Sequence, residues 1–244
     1  MKLKENTVLI TGGSSGIGFA LAKKFSESGS KVIITGRNEE RLKQSAGKLN
    51  SADYIVCDQS KQSDLDDLLL KIQNKFSGIN ILINNAGVQY NYSLLEEVSP
   101  FERIEYELNT NLGGVIKLSS MLIPLLAGKD EAAIINVSSA LAFVPKESAP
   151  VYCASKAGVH SFTQVLRYQL EETNIKVFEL IPSLVETGMT RGRGKDKISV
   201  DELTGEFISA FKKDIPEINI GKVKLIRILH RLVPNLISSK IRKS

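Results

Sequence analysis

Three residues have the types and spacing for acid–base chemistry: Ser139, Tyr152 and Lys156. Tyr152 and Lys156 are four positions apart in a helical pattern, so they lie next to each other on one helix face. A phenol with a pKa of about 10 is a poor base at neutral pH, but a nearby ammonium group favours the phenolate. Ser138 and Ser139 follow a buried strand, where one hydroxyl could hold a substrate oxygen, and the spacing to Tyr152 favours Ser139 over Ser138. The set predicts proton transfer to or from an oxygen atom of the substrate.

A glycine-rich turn near the N-terminus has the features of a phosphate site. The segment Thr11–Gly18 reads TGGSSGIG and stands between a β-branched run and a helical pattern. Glycines let backbone N–H groups approach a pyrophosphate, and a helix N-terminus favours the anion. A tight strand–helix turn without a ligand is the alternative. The predicted dinucleotide contacts of this turn are Gly12, Ser14, Ser15, Gly16, Ile17 and Gly18.

Short apolar runs alternate with longer amphipathic ones along the chain. The predicted strands are Thr7–Thr11, Lys31–Thr35, Asp53–Cys57, Ile79–Ile83, Ala132–Val137, Lys176–Ile181 and Glu217–Ile220. The predicted helices are Ile17–Ser28, Glu39–Leu49, Ser63–Phe76, Pro100–Leu126 and Tyr152–Glu172. Continuous apolar strands are typical of parallel sheets buried on both faces. The alternation predicts a Rossmann-like α/β fold with a doubly wound parallel sheet of about seven strands.

Composition narrows the class of protein. The chain has 244 residues, of which 42% are hydrophobic and 24% charged, as in an ordinary globular domain. Two cysteines without CxxC spacing and only two histidines make a disulfide scaffold or a metal site improbable. The N-terminal apolar run is short, and no run approaches the length that spans a bilayer. We expect a cytoplasmic protein without a metal.

Five motifs occur in one order along the chain and resemble those of the short-chain dehydrogenase/reductase family. The turn Thr11–Gly18 resembles TGxxxGxG, and Asn84–Gly87 resembles the NNAG motif. Asn111 resembles the family's helix-borne asparagine, Ser139 its serine, and Tyr152–Lys156 its YxASK motif. The resemblance implies a nicotinamide-dependent enzyme that interconverts a carbonyl and an alcohol, with Tyr152 as general acid or base.

The resemblance also implies roles for individual residues. Lys156 would bind the nicotinamide ribose, and Asn111 would hold a water molecule in a proton relay. Asp58 resembles the acceptor of the adenine amino group, although a turn or N-cap role is nearly as well supported. The segment Pro182–Thr187 resembles PGxVxT with Ser183 in place of glycine, which leaves the local backbone shape in question. The implied cofactor contacts in these motifs are Asp58, Asn85, Ala86, Gly87, Tyr152, Lys156, Pro182, Val185 and Thr187.

Cofactor choice depends on the end of the second strand. NAD enzymes usually place a carboxylate there for the ribose 2′-hydroxyl, but this chain has Gly36 followed by Arg37. A guanidinium suits a 2′-phosphate, so NADP(H) is favoured over NAD(H). Arg37 could instead be a solvated loop residue, and Ser15 occupies the place where many NADP enzymes have a second basic residue.

The C-terminal part of the chain is basic. Residues 1–190 carry 19 basic and 21 acidic side chains, whereas residues 191–244 carry 13 and 6. Such a local excess argues against a nucleic-acid partner. We expect residues 1–220 to form the dinucleotide-binding and catalytic domain and residues 221–244 to extend it as a basic amphipathic helix that Pro234 kinks or ends. The extension resembles that of the DltE-type subgroup. It could pack on the protein or lie on an anionic membrane.

The sequence thus predicts NADP(H)-dependent reduction of a small carbonyl substrate, or the reverse oxidation. An NAD-dependent alcohol dehydrogenase remains open, as does a membrane-associated nucleotide-binding accessory protein of cell-envelope (teichoic acid) metabolism. Family resemblance implies a homodimer or homotetramer formed through the helices near Pro100–Leu126 and Tyr152–Glu172. Residues 140–150 and 187–215 should line the substrate pocket, and its apolar part is expected to include Leu141, Phe143, Val144 and Met189.

Overall fold

The computed structural model describes residues 1–95, 101–192, 194 and 196–242. These residues form one domain around a seven-stranded sheet with the strand order β3-β2-β1-β4-β5-β6-β7. Each strand pairs in parallel with its neighbours. The strands are Thr7–Thr11 (β1), Lys31–Gly36 (β2), Ala52–Val56 (β3), Ile81–Asn84 (β4), Ala132–Val137 (β5), Ile175–Ile181 (β6) and Glu217–Asn219 (β7). The predicted doubly wound fold is confirmed.

Helices cover both faces of the sheet. They are Gly16–Glu27 (α1), Glu39–Ala46 (α2), Gln62–Lys75 (α3), Phe101–Leu108 (α4), Gly114–Ala127 (α5), Pro150–Gln169 (α6), Val200–Lys212 (α7), Val223–Leu232 (α8) and Pro234–Arg242 (α9). The predicted continuous helix over 100–126 is wrong in its middle, because a π-helical turn, Asn109–Gly113, separates α4 from α5. Pro100, its predicted first residue, lies outside the described part of the chain.

Alternate residues of each strand face opposite layers. Leu9, Ile33 and Leu82 pack with α3 and α5 on one face, whereas Ile10 and Ile34 pack with α1 and α7 on the other. These side chains are fully buried, and each buried residue of this size contributes roughly 1.5–3 kcal/mol to folding. The hydrophobic layers on the two faces of the sheet hold the strands in register, so that the carboxyl ends of the strands lie along one edge of the sheet.

The helix α7 was not predicted, because the Gly-rich, charged stretch before it obscures its start. Its N-terminus nevertheless carries a capping signal, since the Ser199 side chain accepts a hydrogen bond from the Glu202 amide. Its apolar face contributes Phe207 and Phe211, which stack with ring centroids 5.3 Å apart. Phe25 of α1 meets Phe211 edge-on at 5.9 Å, so α7 closes the core beside α1.

One helical stretch of the described residues, Phe101–Ala127, is long and apolar enough to cross a membrane by length and composition alone. Leu118, Leu122 and Leu126 of this stretch are buried against the sheet. Packing on the domain core therefore accounts for its apolar composition.

The C-terminal helices pack on the domain and also expose an apolar face. Val223 of α8 is buried, and α8 ends just before Pro234, which begins α9. At the end of α9 the carbonyl oxygen of Arg242 accepts a hydrogen bond of 3.1 Å from the Glu147 amide. The Arg242 side chain also forms an ion pair of 2.8 Å with the Glu147 carboxylate. The end of α9 is thereby attached to the loop that precedes α6.

Candidate active site

The glycine turn between β1 and α1 is packed too closely for side chains at Gly12, Gly13 and Gly18. A Cβ atom on Gly18 would lie 2.4 Å from the Asn85 Nδ2 atom and 2.4 Å from the Gly12 carbonyl oxygen. Gly12 has a φ of +64° and an ideal Cβ position 2.9 Å from the Ala86 Cα atom. Asn85 Nδ2 donates to the carbonyl oxygens of Thr11 and Gly12 at 2.9 and 3.2 Å. The NNAG segment after β4 therefore holds the glycine turn in shape.

The N-terminus of α1 opens into a cleft. Ser15 is the N-cap residue and makes no side-chain capping hydrogen bond, so no protein oxygen from this residue competes for the first N–H groups of the helix. Free N–H groups and the positive end of a helix dipole suit an anion. The turn residues Gly12, Ser14 and Gly16 and this helix N-terminus border the cleft, which fits a bound pyrophosphate.

A cleft of about 930 Å³ runs along the carboxyl ends of the strands. The predicted site residues that line it are Gly12, Ser14, Ser15, Gly16, Ile17, Arg37, Asp58, Asn85, Ala86, Gly87, Tyr152, Lys156, Pro182 and Thr187. The other four predicted residues are buried and do not line it, namely Gly18, Asn111, Ser139 and Val185, whereas Ser138, the neighbour of Ser139, does. The structure thus brings residues from five strand ends to one cleft.

One end of the cleft combines two arginines with a tyrosine and a carboxylate. Arg37 and Arg41 both line it, and the Arg41 amide donates to the Asn38 side chain, which caps α2. Arg37 donates a hydrogen bond to the Tyr106 hydroxyl, which in turn lies 3.4 Å from the Asp58 carboxylate. Sequence reasoning missed Arg41 and Tyr106. The position of Arg41, four residues after Arg37, could have identified it.

Asp58 serves the local backbone as well as the cleft. Its Oδ1 atom accepts hydrogen bonds from the amide and the hydroxyl of Ser60, at 3.1 and 2.8 Å. This is the turn role that the sequence left as an alternative. The same side chain lines the cleft, where its Oδ2 atom accepts the hydrogen bond from the Tyr106 hydroxyl.

Lys156 and Tyr152 lie together at the opposite end of the cleft. The Lys156 ammonium is 5.8 Å from the centre of the Tyr152 ring and donates a hydrogen bond of 2.7 Å to the Val137 carbonyl oxygen. Burial lowers the pKa of Lys156 to about 8, and the charge of Glu179 acts in the opposite direction. A Cβ atom on Gly87 would lie 3.7 Å from the ammonium, so glycine at this position keeps the space beside Lys156 open.

Asn111 lies in the π-helical turn and connects three segments. Its Nδ2 atom donates to the Val88 carbonyl oxygen at 2.8 Å and to Ser155 Oγ at 3.2 Å, and its Oδ1 atom accepts from the Val88 amide at 2.8 Å. The side chain is fully buried. Asn111 therefore positions the loop after β4 against α6, and π-helical turns frequently occur at functional sites.

The two serines after β5 have different partners. Ser138 Oγ donates to the buried Glu179 carboxylate at 2.5 Å. Ser139 Oγ accepts from the Leu141 amide at 3.1 Å. A hydroxyl has one donor and two acceptor positions, so Ser139 retains a proton to offer, whereas the proton of Ser138 is committed to Glu179.

The backbone after β6 accommodates Ser183 in place of the glycine of the family motif. The non-glycine residues with positive φ in the described chain are Glu5, Asp196 and Asp214, so Ser183 adopts an ordinary backbone conformation. The following turn is held by Thr190, whose hydroxyl donates to the Val185 carbonyl oxygen at 2.5 Å. The backbone shape that the serine put in question is therefore maintained.

The predicted substrate-pocket residues divide into two groups. Met189 lines the cleft, whereas Val144 is fully buried in the protein and does not reach it. Phe143 contacts the His160 ring with centroids 4.6 Å apart. The prediction that residues 187–215 as a whole line the pocket is too broad, because Phe207 and Phe211 of α7 belong to the core.

This combination of a parallel sheet, a glycine turn at its edge and a buried lysine beside a tyrosine defines a dinucleotide-binding oxidoreductase. The family model of the short chain dehydrogenases matches residues 6–198. The chain therefore belongs to the short-chain dehydrogenase family.

Individual relatives agree with this assignment. The chain is 37% identical to the "Uncharacterized oxidoreductase DltE" of Bacillus subtilis (strain 168), over 93% of this chain and 92% of that protein. A short-chain dehydrogenase from Sphingobium yanoikuyae in complex with NADPH superposes with a TM-score of 0.83 and 26% identity, covering 98% of this chain and 97% of that one. The 3-ketoacyl-(acyl-carrier-protein) reductase of Brucella melitensis, complexed with NADH, superposes with a TM-score of 0.82 and 27% identity, covering 91% and 100%. The predicted resemblance, including the DltE-like subgroup, is confirmed.

Proposed function

We propose that the protein is a cytoplasmic enzyme that reduces a carbonyl compound to an alcohol with NADPH, or catalyses the reverse reaction. The observation that carries the proposal is the buried Lys156 ammonium beside the Tyr152 ring in the cleft that holds the glycine turn. Burying an ammonium group is costly, so a buried lysine beside a phenol in a cleft favours a functional role. Bound nicotinamide would supply or accept the hydride.

In this mechanism Tyr152 donates a proton to the substrate oxygen during reduction and removes it during oxidation. The positive charge of Lys156 stabilises the phenolate that forms, and its amine would bind the nicotinamide ribose. Ser139, which is adjacent to the cleft-lining Ser138, would orient the substrate oxygen with its remaining proton. Asn111 fixes the loop beside Lys156 and would hold the water molecule that returns a proton to the lysine.

The preference for NADP(H) rests on two basic residues. Arg37 and Arg41 line the cleft end at which the ribose 2′-phosphate would lie, and a guanidinium pairs with a phosphate through two parallel hydrogen bonds. Arg41 supplies the second basic group that is absent from the glycine turn. Tyr106 orients the Arg37 guanidinium.

We expect purified protein to oxidise NADPH faster than NADH with a panel of ketones, aldehydes and quinones. Replacing Arg37 by alanine should lower kcat/KM for NADPH by about 10- to 100-fold, because a charge-assisted pair with phosphate is worth about 1.5–3 kcal/mol. The value for NADH should change little. Lys43→Ala is the matched control, since Lys43 is an exposed cation of the following helix, α2, that does not line the cleft. Equal losses with both cofactors would contradict the NADP assignment and favour an NAD-dependent alcohol dehydrogenase.

We also propose two contacts for the outer surface of the domain. Residues 221–244 form an extension of the 1–220 domain that touches an anionic membrane surface, and the enzyme assembles as a homodimer or homotetramer. Exposed apolar side chains support assembly through α5 and α6, among them Ile116, Val165 and Tyr168.

Support for the membrane contact comes from an exposed apolar stripe on α8 and α9. Leu225, Ile228, Leu232 and Leu236 form this outer stripe, and each is about half exposed or more. Lys224 and Arg231 are exposed beside it, and no acidic residue follows Glu217 in the sequence. Like charges oppose pairing of this surface with a second copy, whereas an anionic lipid surface complements it.

The membrane contact predicts sedimentation with vesicles rich in phosphatidylglycerol, and little with phosphatidylcholine vesicles. Leu232→Glu should reduce the bound fraction at least ~10-fold, because the loss of one inserted leucine costs about 1.5–3 kcal/mol. Analytical ultracentrifugation of the same variant should show an unchanged assembly. A variant that dissociates into monomers, or that binds vesicles like the wild type, would refute the membrane contact.

A further inference from the structure

A buried carboxylate lies behind the catalytic end of the cleft and has no part in the mechanism described above. Glu179 is a fully buried residue of β6. It is in register with Asn136 of β5, which is in register with Asn84 of β4. Neighbouring residues in register point to the same face of a parallel sheet, here the face covered by α5 and α6. Glu179 is the charged member of this polar row.

Both oxygens of Glu179 accept hydrogen bonds. Ser138 Oγ donates to Oε1 at 2.5 Å, and His160 Nδ1 lies 2.8 Å from Oε2. An ionised carboxylate only accepts, so His160 carries its proton on Nδ1 in this arrangement. A carboxylate with a donor on each oxygen is stabilised as an anion in spite of its burial.

The residue that benefits from this anion is Lys156. His160 lies one helical turn after Lys156 on α6, so both side chains face the same region. The Lys156 ammonium bonds to the carbonyl of Val137, the residue that precedes Ser138. Burial lowers the pKa of Lys156, whereas the negative charge of Glu179 raises it.

We propose that Glu179 is a positioning residue that supplies the counter-charge of the catalytic Lys156, and that Ser138 and His160 hold its carboxylate in place. The proposal extends the proposed function, because it explains how Lys156 stays charged in a dry site. It also gives separate tasks to the two serines: Ser139 serves the substrate, and Ser138 serves Glu179.

Other charges near Glu179 are neutralised by partners of their own. Glu217 of β7, which is in register with Glu179, forms an ion pair of 2.7 Å with Arg227 of α8. The Arg227 guanidinium also lies 4.2 Å from the centre of the Phe143 ring, which packs edge-on against His160. The tail helix α8 therefore supports the His160 imidazole through Phe143.

The test follows the protonation of Lys156 directly. Protein labelled with ¹³C at lysine Cε is titrated by NMR in the presence of NADP⁺, and the Lys156 signal is the one lost in Lys156→Arg. In the wild type its midpoint should lie below that of an ordinary lysine, because burial lowers the pKa of Lys156. In Glu179→Gln, which keeps the side-chain shape but removes the charge, the midpoint should fall by about one unit or more. Ser138→Ala keeps the carboxylate and should shift the midpoint by much less.

The charge of Glu179 should also affect the pH dependence of catalysis. With a reducible diketone such as phenanthrenequinone, the basic limb of kcat/KM should move to lower pH in Glu179→Gln, because removal of a negative charge favours loss of a proton from both Tyr152 and Lys156. Glu179→Asp retains a carboxylate and should keep most of the wild-type pH profile of kcat/KM. It replaces Glu179→Gln in the test if the glutamine variant does not fold. An unchanged Lys156 midpoint in both variants would overturn the proposal. A shifted Lys156 midpoint in a protein that reduces no carbonyl compound would uphold the role of Glu179 and count against the proposed reductase function.

Discussion

Tyr152→Phe is expected to lower kcat for carbonyl reduction by about 10²- to 10⁴-fold, because the variant lacks the proton that the substrate oxygen must receive. Binding of NADPH, measured by fluorescence titration, should change by less than about threefold in Kd, since the ring and Lys156 remain. Turnover is measured as loss of NADPH absorbance under saturating cofactor.

The matched control for this variant is Tyr168→Phe. Tyr168 is on the same helix, α6, but its side chain is 69% exposed and remote from the cleft lining. It should retain the wild-type rate. If Tyr152→Phe also retained that rate, another group would be the proton donor, and a nucleotide-binding accessory role would become the better explanation of the site.

Gly18→Ala is expected to weaken NADPH binding by about 100-fold or more and to destabilise the fold by about 1–3 kcal/mol. The added methyl group would lie 2.4 Å from both the Asn85 Nδ2 atom and the Gly12 carbonyl oxygen. Neither neighbour can move independently, because Asn85 Nδ2 is bonded to the backbone of the turn. Urea unfolding and fluorescence titration would measure the two effects.

Gly205→Ala provides the opposite control. Gly205 is exposed in α7, and its ideal Cβ position has no neighbour within 4 Å. Alanine should therefore raise the free energy of unfolding by roughly 0.5–1 kcal/mol without affecting NADPH binding. Normal NADPH binding by Gly18→Ala would mean that the turn is looser than the contacts of Asn85 indicate.

Sequence patterns could predict the sheet and most of the cleft because both follow from local signals. Continuous apolar runs mark strands such as Ala132–Val137, and the glycine spacing marks a turn whose backbone must approach other atoms closely. The π-helical turn at Asn109–Gly113 has no such signal, since its residues continue the helical pattern on either side. The helix α7 carried a signal at Ser199 and Glu202 that was obscured by the charged stretch before it.

Pairings between distant elements could not be predicted in this way. Tyr106 reaches Arg37 across 69 residues of sequence, and Ser138 reaches Glu179 across 41. Each of these side chains has an ordinary local context, so its role depends on which strand and helix become neighbours. His160 illustrates the point, because its partner is visible only when β6 and α6 are packed together.

The attachment of Arg242 to Glu147 has a consequence for the order of events during synthesis. The two residues are 95 positions apart, so the ribosome produces the loop before α6 long before the helix that secures it. Long-range contacts of this kind form late in folding. A nascent chain can therefore complete its sheet and its glycine turn while the loop beside Tyr152 still lacks its final support. We therefore expect chains that end before α9 to lack this support for the loop before α6.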